Sequence, residues 1–390
     1  MEKKAKGRIL FFGHSFYHNW YLSRELRKLG WKADLVNIDS RPENQLFYHG
    51  QDIQFQDKGI FCRIVFYLKI FFSYDILHFS NRGGIGYFWF NYSHAIFRYV
   101  PKALDIKILK LFGKKIVYTN NGCNDGMLQT TWGSFTPSPC EWCVWKKTKR
   151  TDVCSDERNR SWAVLRNTLA DCQFLTGGYF YDFNNDNTVL EAPGAYCLDH
   201  NFWNPDILIP SNYRLNYPND TVKIYHAVGN FESRTNLEHN TNIKATHIYL
   251  PLIERYKKEG LKVELLFFHN VPNKELRYYQ AQCDIVVDML TFGCFGANVR
   301  EALMLGKPVV CYMRPAFIEK IRQRLPEYAD ELPVVSATPD TVYDVLKELI
   351  LSPEKRKEIG RRSREFAVKW HSAENAAKKM EQIYSSLLNK

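Results

Sequence analysis

The chain has 390 residues, of which 45% are hydrophobic and 15% aromatic. This length excludes one compact core and is typical of two domains of about 150 to 200 residues each. Lysine and arginine number 53 against 42 aspartates and glutamates, and the resulting net charge of +11 favours anionic partners such as nucleic acid, lipid headgroups or phosphorylated substrates.

The first apolar run ends at Gly13 and His14, so no signal-peptide core follows it, and we expect a cytosolic protein. The most apolar region, residues 60–79, is interrupted by three charged residues and falls short of the about 20 apolar residues that a membrane-spanning helix needs. We predict a buried helix there, followed by a strand. In a reducing compartment we expect no structural disulfides among the ten cysteines.

Short apolar runs alternate with longer amphipathic stretches along the whole chain. In the first half this pattern predicts a helix at 20–29 and strands at 8–12, 33–38, 76–79 and 115–119. In the second half it predicts strands at 222–227, 263–268, 285–287, 308–311 and 332–335. Strands that alternate with helices indicate parallel sheets covered by those helices.

A stretch rich in asparagine and proline, 198–220, has the composition of a linker. We therefore predict an α/β protein with two doubly wound, Rossmann-like domains, about 1–205 and 220–370, that face each other across a cleft. A final helix at 371–390 is expected to pack back on the first domain. Ligands of open parallel sheets bind beyond the carboxyl ends of the strands, so the cleft is the predicted site.

An insertion at about 120–160 interrupts the alternation and contains the cysteine-rich stretch PCEWCVWKKTKRTDVC. Four thiolates can surround a zinc ion tetrahedrally, and a structural zinc would order an insertion that has little periodic apolar sequence. Inert thiols and a redox or iron–sulfur role are the alternatives, and Cys172 could replace one ligand. The candidate ligands are Cys123, Cys140, Cys143 and Cys154.

The most informative stretch is CDIVVDMLTFGCFGANVREALMLGKPVV, at 283–310. Here a strand is followed by a loop with Gly293 and Gly296 and then by a helix. Glycines let backbone N–H groups approach a phosphate, and a helix N-terminus adds about half a positive charge. Glu301, about one turn into the helix, could accept hydrogen bonds from ribose hydroxyls. A tight turn followed by a solvated glutamate is an equally good interpretation of the local chemistry.

The part of this stretch that begins at Gly293, GCFGANVREALMLGKPVV, resembles the retaining glycosyltransferases of family 4, which share the two-domain GT-B fold. In that family a Glu-Gly-Phe-Gly loop precedes a helix with Glu-Ala-Met-Ala-x-Gly-x-Pro-Val. The resemblance implies that Glu301 holds the donor ribose and that the backbone near Gly296 holds the donor diphosphate. The first glutamate of the family's pair is replaced by Gly293, and Asp288 is the candidate substitute.

A second region that resembles the family is IYHAVGNFESRTNLEHNTNIKATHIYLPLIERYKKEG, at 224–260. The family has a strand, a Gly-Arg loop and a Lys-Gly pair at a helix start. Gly229 and Asn230 match the loop, and Arg234 and Lys244 are the candidate catalytic cations. A guanidinium and an ammonium that face a leaving diphosphate would stabilise the charge that develops on it.

In the first domain the resemblance is looser. It places the acceptor side at the GHSF loop after the first strand and at YDILHFSNRGG, where His78 is either a catalytic group or a structural one. The family's His-Gly-x-Asp loop reads TNNGCND here, so hydrogen-bonding asparagines replace a proton relay. The acceptor-side candidates are Gly13, His14, Ser15, Asn120 and Asn121.

Together these patterns predict a glycosyltransferase that moves a sugar from a nucleotide-sugar donor to a glycan or lipid-linked glycan in surface-glycan assembly. Retention and the acceptor class are implied by the resemblance alone. We expect a structural zinc, no catalytic metal, and reversible attachment to anionic membranes through the aromatic stretch at 85–92. The alternatives are a nucleotide-sugar epimerase of the same architecture and a non-catalytic, zinc-stapled protein that binds glycan or nucleic acid, although we do not expect a nucleic-acid partner for the enzyme.

Overall fold

The structure, a computed structural model, describes residues 5–12, 17–39, 41–56, 58–80, 103–120, 122–150, 154–236, 238–239 and 241–389. Two separate parallel sheets organise these residues, one in each half of the chain. Helices cover the sheets, so the predicted α/β class is confirmed.

The first sheet has seven parallel strands in the order β3-β2-β1-β4-β5-β6-β7. The predicted strands at 8–12 and 115–119 are confirmed with those bounds, and the other two predicted strands differ at their ends by one residue. The strands are β1 (Arg8–Phe12), β2 (Lys32–Asn37), β3 (Ile53–Gln54), β4 (Ile76–Ser80), β5 (Lys115–Thr119), β6 (Cys172–Leu175) and β7 (Val189–Glu191).

The helices of the first half are α1 (His18–Lys28), α2 (Pro42–Gln45), α3 (Ile60–Ser73), α4 (Leu104–Leu111), α5 (Gln129–Gly133), α6 (Val144–Lys147) and α7 (Asp156–Leu169). The prediction that the apolar helix at the start of 60–79 is buried is wrong for one of its faces. Helix α3 buries Phe66, Tyr67 and Ile70 but leaves Phe61 and Phe72 exposed. The buried residues pack in one cluster with Leu10 of β1 and Leu77 of β4, so one face of the helix covers the sheet and the other faces away from it.

The second sheet has four parallel strands in the order β11-β8-β12-β13, and a short antiparallel pair, β9 and β10, lies apart from it. The predicted strand at 332–335 is wrong, because Val335 makes a single bridge, to Val310. The strands are β8 (Val222–Val228), β9 (Thr235–Asn236), β10 (Thr241–Asn242), β11 (Val263–His269), β12 (Ile285–Val287) and β13 (Val309–Val310).

The helices of the second half are α8 (Phe231–Arg234), α9 (Thr246–Lys258), α10 (Asn273–Gln282), α11 (Ala297–Met304), α12 (Pro315–Arg322), α13 (Pro326–Glu331), α14 (Val342–Leu351), α15 (Pro353–His371) and α16 (Ala373–Leu388). Helix α16 packs against α1 of the first domain. Tyr384 of α16 bonds to His78 Nδ1 of β4 at 2.8 Å, and Lys6 forms an ion pair with Glu381 at 2.6 Å.

The insertion at 120–160 shares an apolar cluster with residues of both halves of the chain, including Leu175 of β6 and Phe317 of α12. Trp132 is fully buried and packs near Met127. Its ring centroid lies 4.9 Å from that of Phe292 and 5.8 Å from that of Phe317, both in the second half of the chain. The insertion therefore joins the two domains.

Candidate functional site

A charged cluster lies beyond the carboxyl ends of the second sheet. Arg234 ends α8, shortly after β8; Lys244 follows β10; and Asp288 follows β12 directly. The Lys244 Nζ lies 2.5 Å from Asp288 Oδ1. Asp288 Oδ2 is buried and has no hydrogen-bond partner within the described ranges. The structure thus brings together three residues that the sequence places up to 54 positions apart.

Arg234 is the cation of this cluster that has no direct partner among the described residues. No described residue accepts a hydrogen bond from its guanidinium or forms an ion pair with it. Burial lowers its pKa, and the Asp288 carboxylate opposes that shift. Because arginine stays protonated in proteins, the group is a partly desolvated positive charge, and such a charge is stabilised by an anion.

The loop before Arg234 allows the two domains to come close. Gly229 follows β8, and a Cβ added there would lie 2.6 Å from the Phe47 ring of the first domain. Asn230 has a φ of 53°, in the left-handed region that asparagine tolerates, and precedes α8. The Gly-Asn pair therefore matches both the close approach and the backbone turn that this position needs.

The loop before α11 explains the absent glutamate. Gly293 has a φ of +91°, and a Cβ added there would lie 2.7 Å from Arg314 Cβ. Any larger residue would meet both backbone strain and a steric clash. By contrast, a Cβ at Gly296, just before α11, would have no neighbour within 4 Å. The N-terminus of α11 is therefore open to an approaching group.

Glu301, the predicted ribose-binding group, is only 2% exposed and has protein partners, so the alternative of a solvated glutamate is wrong for this conformation. Its Oε1 accepts hydrogen bonds from the Tyr17 hydroxyl and, at 2.9 Å, from Asn273 Nδ2, and Gln280 Nε2 donates to Oε2 at 3.4 Å. Burial raises the pKa of Glu301, while these three donors oppose that shift.

The Glu301 contacts join the two domains, because Tyr17 precedes α1 and Asn273 begins α10. The network continues through His49, whose Nε2 lies 2.8 Å from Asn273 Oδ1 and whose Nδ1 lies 2.5 Å from the Tyr21 hydroxyl. Burial lowers the pKa of His49 to about 3, so it is neutral in this network. Glu301 therefore holds the cleft closed in this conformation.

Two first-domain candidates are structural. His78 is fully buried in β4; its Nε2 lies 2.7 Å from Thr119 Oγ1 and its Nδ1 contacts Tyr384, so both ring nitrogens are engaged in the core. Burial lowers the pKa of His78 to about 3. Asn120 is also fully buried and donates to Asn184 Oδ1 at 3.3 Å. Both side chains are buried in this conformation, which favours the structural alternative for His78.

The remaining acceptor-side candidates, Gly13, His14, Ser15 and Asn121, lie outside the described residues, as does the aromatic stretch at 85–92. The sequence analysis missed Tyr17, Asn273 and Arg314. The available signals were weak: a tyrosine soon after the first strand, and an asparagine that follows a proline at a helix start. No sequence pattern indicated that these residues would meet Glu301 or fill the position opposite Gly293.

The four cysteines of the insertion line one pocket, together with Ile243 and Phe292 of the second domain. All four are free thiols. Burial raises the pKa of three of them, Cys123, Cys140 and Cys154. No group of three or more histidine, cysteine, aspartate or glutamate side chains is arranged to hold a metal ion in the part of the chain that the structure describes.

The family comparison concerns the same loop, helix and charged cluster. Residues 250–366 match the family described as Glycosyl transferases group 1. This part of the chain is similar to the glycosyl transferases group 1 family. The match includes Asp288, Gly293, Gly296 and Glu301, whereas Arg234 and Lys244 precede it. No curated protein matches the sequence at a significant level.

The whole chain resembles solved glycosyltransferase structures in fold. A glycosyltransferase from Rickettsia africae is 12% identical, with a TM-score of 0.58, and the match covers 99% of this chain and 100% of that one. HepE of Anabaena, solved with UDP and glucose, is 13% identical, with a TM-score of 0.57 and coverage of 97% and 100%. Starch synthase IV of Arabidopsis thaliana, solved with ADP and acarbose, is 10% identical, with a TM-score of 0.55 and coverage of 98% and 100%.

These likenesses establish the GT-B fold and leave the substrates open, because the identities are low. No helix among the described residues is both long and apolar enough to cross a bilayer.

Proposed function

We propose that the protein is a glycosyltransferase that uses a nucleotide-sugar donor. The observation that carries the proposal is Arg234, a partly buried cation without an acceptor among the described residues, next to the Lys244–Asp288 pair. A diphosphate is the kind of anion that suits such a cluster. HepE and starch synthase IV were solved with UDP and ADP, which supports a nucleoside diphosphate as the donor's leaving group.

In the proposed complex the diphosphate lies between Arg234, Lys244 and the N-terminus of α11. Lys244 would exchange one Asp288 oxygen for a phosphate oxygen, and Asp288 would then be free to accept a hydrogen bond from a donor hydroxyl. Gly296 leaves the open space that the phosphates need near the helix dipole. Asp288 would thus supply the donor sugar with a carboxylate acceptor, which Gly293 cannot supply.

Transfer would break the bond between the anomeric carbon and the diphosphate oxygen and form a bond from that carbon to the acceptor hydroxyl oxygen. The acceptor proton would pass to the leaving diphosphate, so no protein nucleophile is required. Arg234 and Lys244 would stabilise the negative charge on the leaving group as it develops. Attack from the face that the diphosphate leaves gives retention, and this outcome rests on the family resemblance.

The acceptor in this proposal is a hydroxyl of a glycan or lipid-linked glycan, in surface-polysaccharide assembly, and the transferred group is a hexose. The Gly229–Phe47 contact and the Tyr17–Glu301 hydrogen bond close the cleft in this conformation. Donor binding therefore requires the Tyr17 hydroxyl to give up Glu301, so that Glu301 can accept hydrogen bonds from the ribose.

Calorimetry with UDP, ADP and GDP tests the donor site directly. We expect one of the three to bind the wild type and to bind the Arg234→Ala variant much more weakly. Arg362→Ala is the matched control, because Arg362 is an exposed arginine on α15 of the second domain. Equal losses in both variants, or no binding of any nucleotide to the wild type, would contradict the proposal. Incubation of a nucleotide sugar without acceptor separates it from an epimerase, which would yield an epimerised donor.

The cysteine pocket supports a second part of the proposal, a structural zinc. Four free thiols from three separate segments line one pocket, and thiolates are the preferred ligands of a closed zinc site. The sulfurs would have to draw together, since they are not arranged for a metal within the described ranges. A zinc held by Cys123, Cys140, Cys143 and Cys154 would have no open coordination position, so it would stabilise the insertion and take no part in transfer.

Elemental analysis of protein purified without added metal tests this part. We expect about one zinc per chain, bound by four thiolates, and a loss of zinc and of thermal stability in Cys140→Ser. Cys62→Ser is the matched control, because Cys62 lies on α3, outside the pocket. Protein without zinc, and an unchanged melting temperature in Cys140→Ser, would favour inert thiols.

A further inference from the structure

An apolar face on α3 and α4 has no partner among the described residues. Phe61, Val65, Leu68 and Phe72 are 77%, 50%, 47% and 69% exposed, and they recur at the spacing of one helix face. With a rise of about 1.5 Å per residue, they form a stripe about 16 Å long. A solvated helix would carry polar side chains along this stripe.

The stripe continues onto the end of α4 and the residue after it. Leu111 and Phe112 are 83% and 63% exposed, and the Phe112 ring centroid lies 5.1 Å from that of Phe71 on α3. With Ile60, which is 51% exposed, seven of the fourteen large exposed apolar side chains in the described residues lie on this one surface, here called the α3–α4 face. Concentration of this kind marks an interaction surface, whereas scattered exposed side chains do not.

The charge around the face indicates what covers it. Of the acidic residues described on and next to α3 and α4, Asp75 is paired with Arg8 at 2.6 Å and Asp105 is buried. Lys69 on α3 and Lys107 on α4 are exposed beside the apolar stripe. The face therefore combines apolar side chains with a cationic border, formed by these exposed lysines.

We propose that the α3–α4 face docks on an anionic lipid bilayer, with α3 lying in the interfacial plane. An amphipathic helix with large apolar side chains on one side and cations beside them binds such surfaces, and anionic headgroups attract the cations. This surface differs from the aromatic stretch at 85–92, which lies outside the described residues. The inference concerns where the protein binds and does not depend on the donor that it uses.

Two other possible partners of the α3–α4 face match its positive charge less well than an anionic bilayer does. A second copy of the chain would bring an identical cationic border against this one, and like charges repel. The segment 81–102, which follows β4 in the sequence, carries three cations and no acidic residue. It too would leave the border without compensation, whereas an anionic bilayer compensates it.

Vesicle sedimentation with the full chain tests the proposal, with phosphatidylcholine vesicles that contain or lack phosphatidylserine. We expect binding only to the anionic vesicles, weakened by salt. Phe61→Asp with Phe72→Asp should weaken binding at least about tenfold, because two apolar anchors are lost and two negative charges are added. The matched control is Leu208→Asp with Leu351→Asp, which alters two exposed leucines elsewhere (86% and 60% exposed) and should change binding less than about twofold.

Each other outcome overturns the proposal in a distinct way. Equal binding to neutral and anionic vesicles would remove the role of the cationic border. A lower melting temperature of the Phe61/Phe72 variant without lipid would show that another part of the chain covers these side chains. A wild-type dimer that this variant converts to a monomer would assign the face to a second copy. Nucleotide affinity should be the same in the variant and the wild type, which separates this test from that of the donor site.

Discussion

Arg234 and Glu301 have the same predicted role, contact with the donor nucleotide, but the structure treats them differently. Glu301 is buried among three hydrogen-bond donors, one of which belongs to the first domain. Arg234 has no acceptor among the described residues. One group is therefore already satisfied by the protein, and the other is left for a ligand.

The difference shows that two residues at a ligand site can depend on the ligand to different extents. An anion that binds Arg234 displaces water but no described protein acceptor, so no protein hydrogen bond has to be broken. A ribose that binds Glu301 must displace Tyr17, so only the difference between the two hydrogen bonds contributes. We expect the free energy of binding to depend mostly on Arg234, and the stability of the apo protein to depend mostly on Glu301.

The largest expected effect is that of Arg234→Ala on affinity. Two charge-assisted hydrogen bonds to phosphate, each worth about 1.5 to 3 kcal/mol, correspond to a loss of at least about 100-fold in the calorimetric Kd of the nucleoside diphosphate. The apo protein should be as stable as the wild type or slightly more stable, since a partly desolvated cation is removed. Arg234→Lys should recover part of the affinity. If Arg234→Ala mainly destabilises the apo protein, the contrast with Glu301 is wrong.

Glu191, the last residue of β7, extends the comparison to a buried carboxyl group with one oxygen left without a partner among the described residues. Its Oε2 accepts a hydrogen bond from the Gly178 N–H at 3.0 Å, whereas its Oε1 is buried without a partner in the described residues. Burial raises its pKa to about 7. Because the folded state holds this proton more tightly than the unfolded state, Glu191 favours folding at low pH and loses that contribution as the pH rises through about 7.

The expected change is a loss of about 2 to 3 kcal/mol in the free energy of unfolding between pH 5 and pH 8. Urea denaturation at both pH values measures it, and Glu191→Gln should remove this part of the pH dependence. The same pH profile in wild type and Glu191→Gln would show that the carboxyl group has a partner that keeps it ionised.

Glu301→Ala should lower the free energy of unfolding by about 2 kcal/mol. It leaves the Tyr17 hydroxyl and the Asn273 amide without their acceptor, at about 1 to 3 kcal/mol each, while the cost of burying a carboxylate is relieved. Urea denaturation of the apo protein measures the loss, and Glu301→Gln, which keeps an acceptor oxygen, should lose less. Wild-type stability in Glu301→Ala would indicate a solvated glutamate and an open cleft in solution.

Tyr17→Phe should have the smallest of these effects, and it should strengthen nucleotide binding where Arg234→Ala weakens it. It removes the hydroxyl that competes with the ribose for Glu301 and keeps the aromatic packing of Tyr17 near Trp203, whose ring centroid lies 5.9 Å away. The affinity for the nucleotide should rise about threefold, because less than about 1 kcal/mol separates two hydrogen bonds to the same carboxylate. A weaker affinity in Tyr17→Phe would mean that Tyr17 itself contacts the donor.

Much of the architecture could be predicted because apolar periodicity sets strands and helices locally, as in β1 and β5. The same rule failed at 332–335. Only Val335 of this segment pairs with a strand residue, Val310, and the sequence does not show how many positions will pair. The burial of Glu301 was also beyond prediction, because its partners Tyr17 and Asn273 lie 284 and 28 positions away. The need for glycine at position 293 comes from the nearby Arg314 side chain, a contact that the sequence does not show.

The packing of α16 on the first domain has a consequence for protein synthesis. The core around β4 includes the Tyr384–His78 hydrogen bond, and Trp31 stacks edge-on against Tyr384 with centroids 6.0 Å apart. The ribosome makes Tyr384 only after every strand of the second domain. The first domain therefore cannot complete its core until the strands of the second domain have been synthesised, although its own strands are made first.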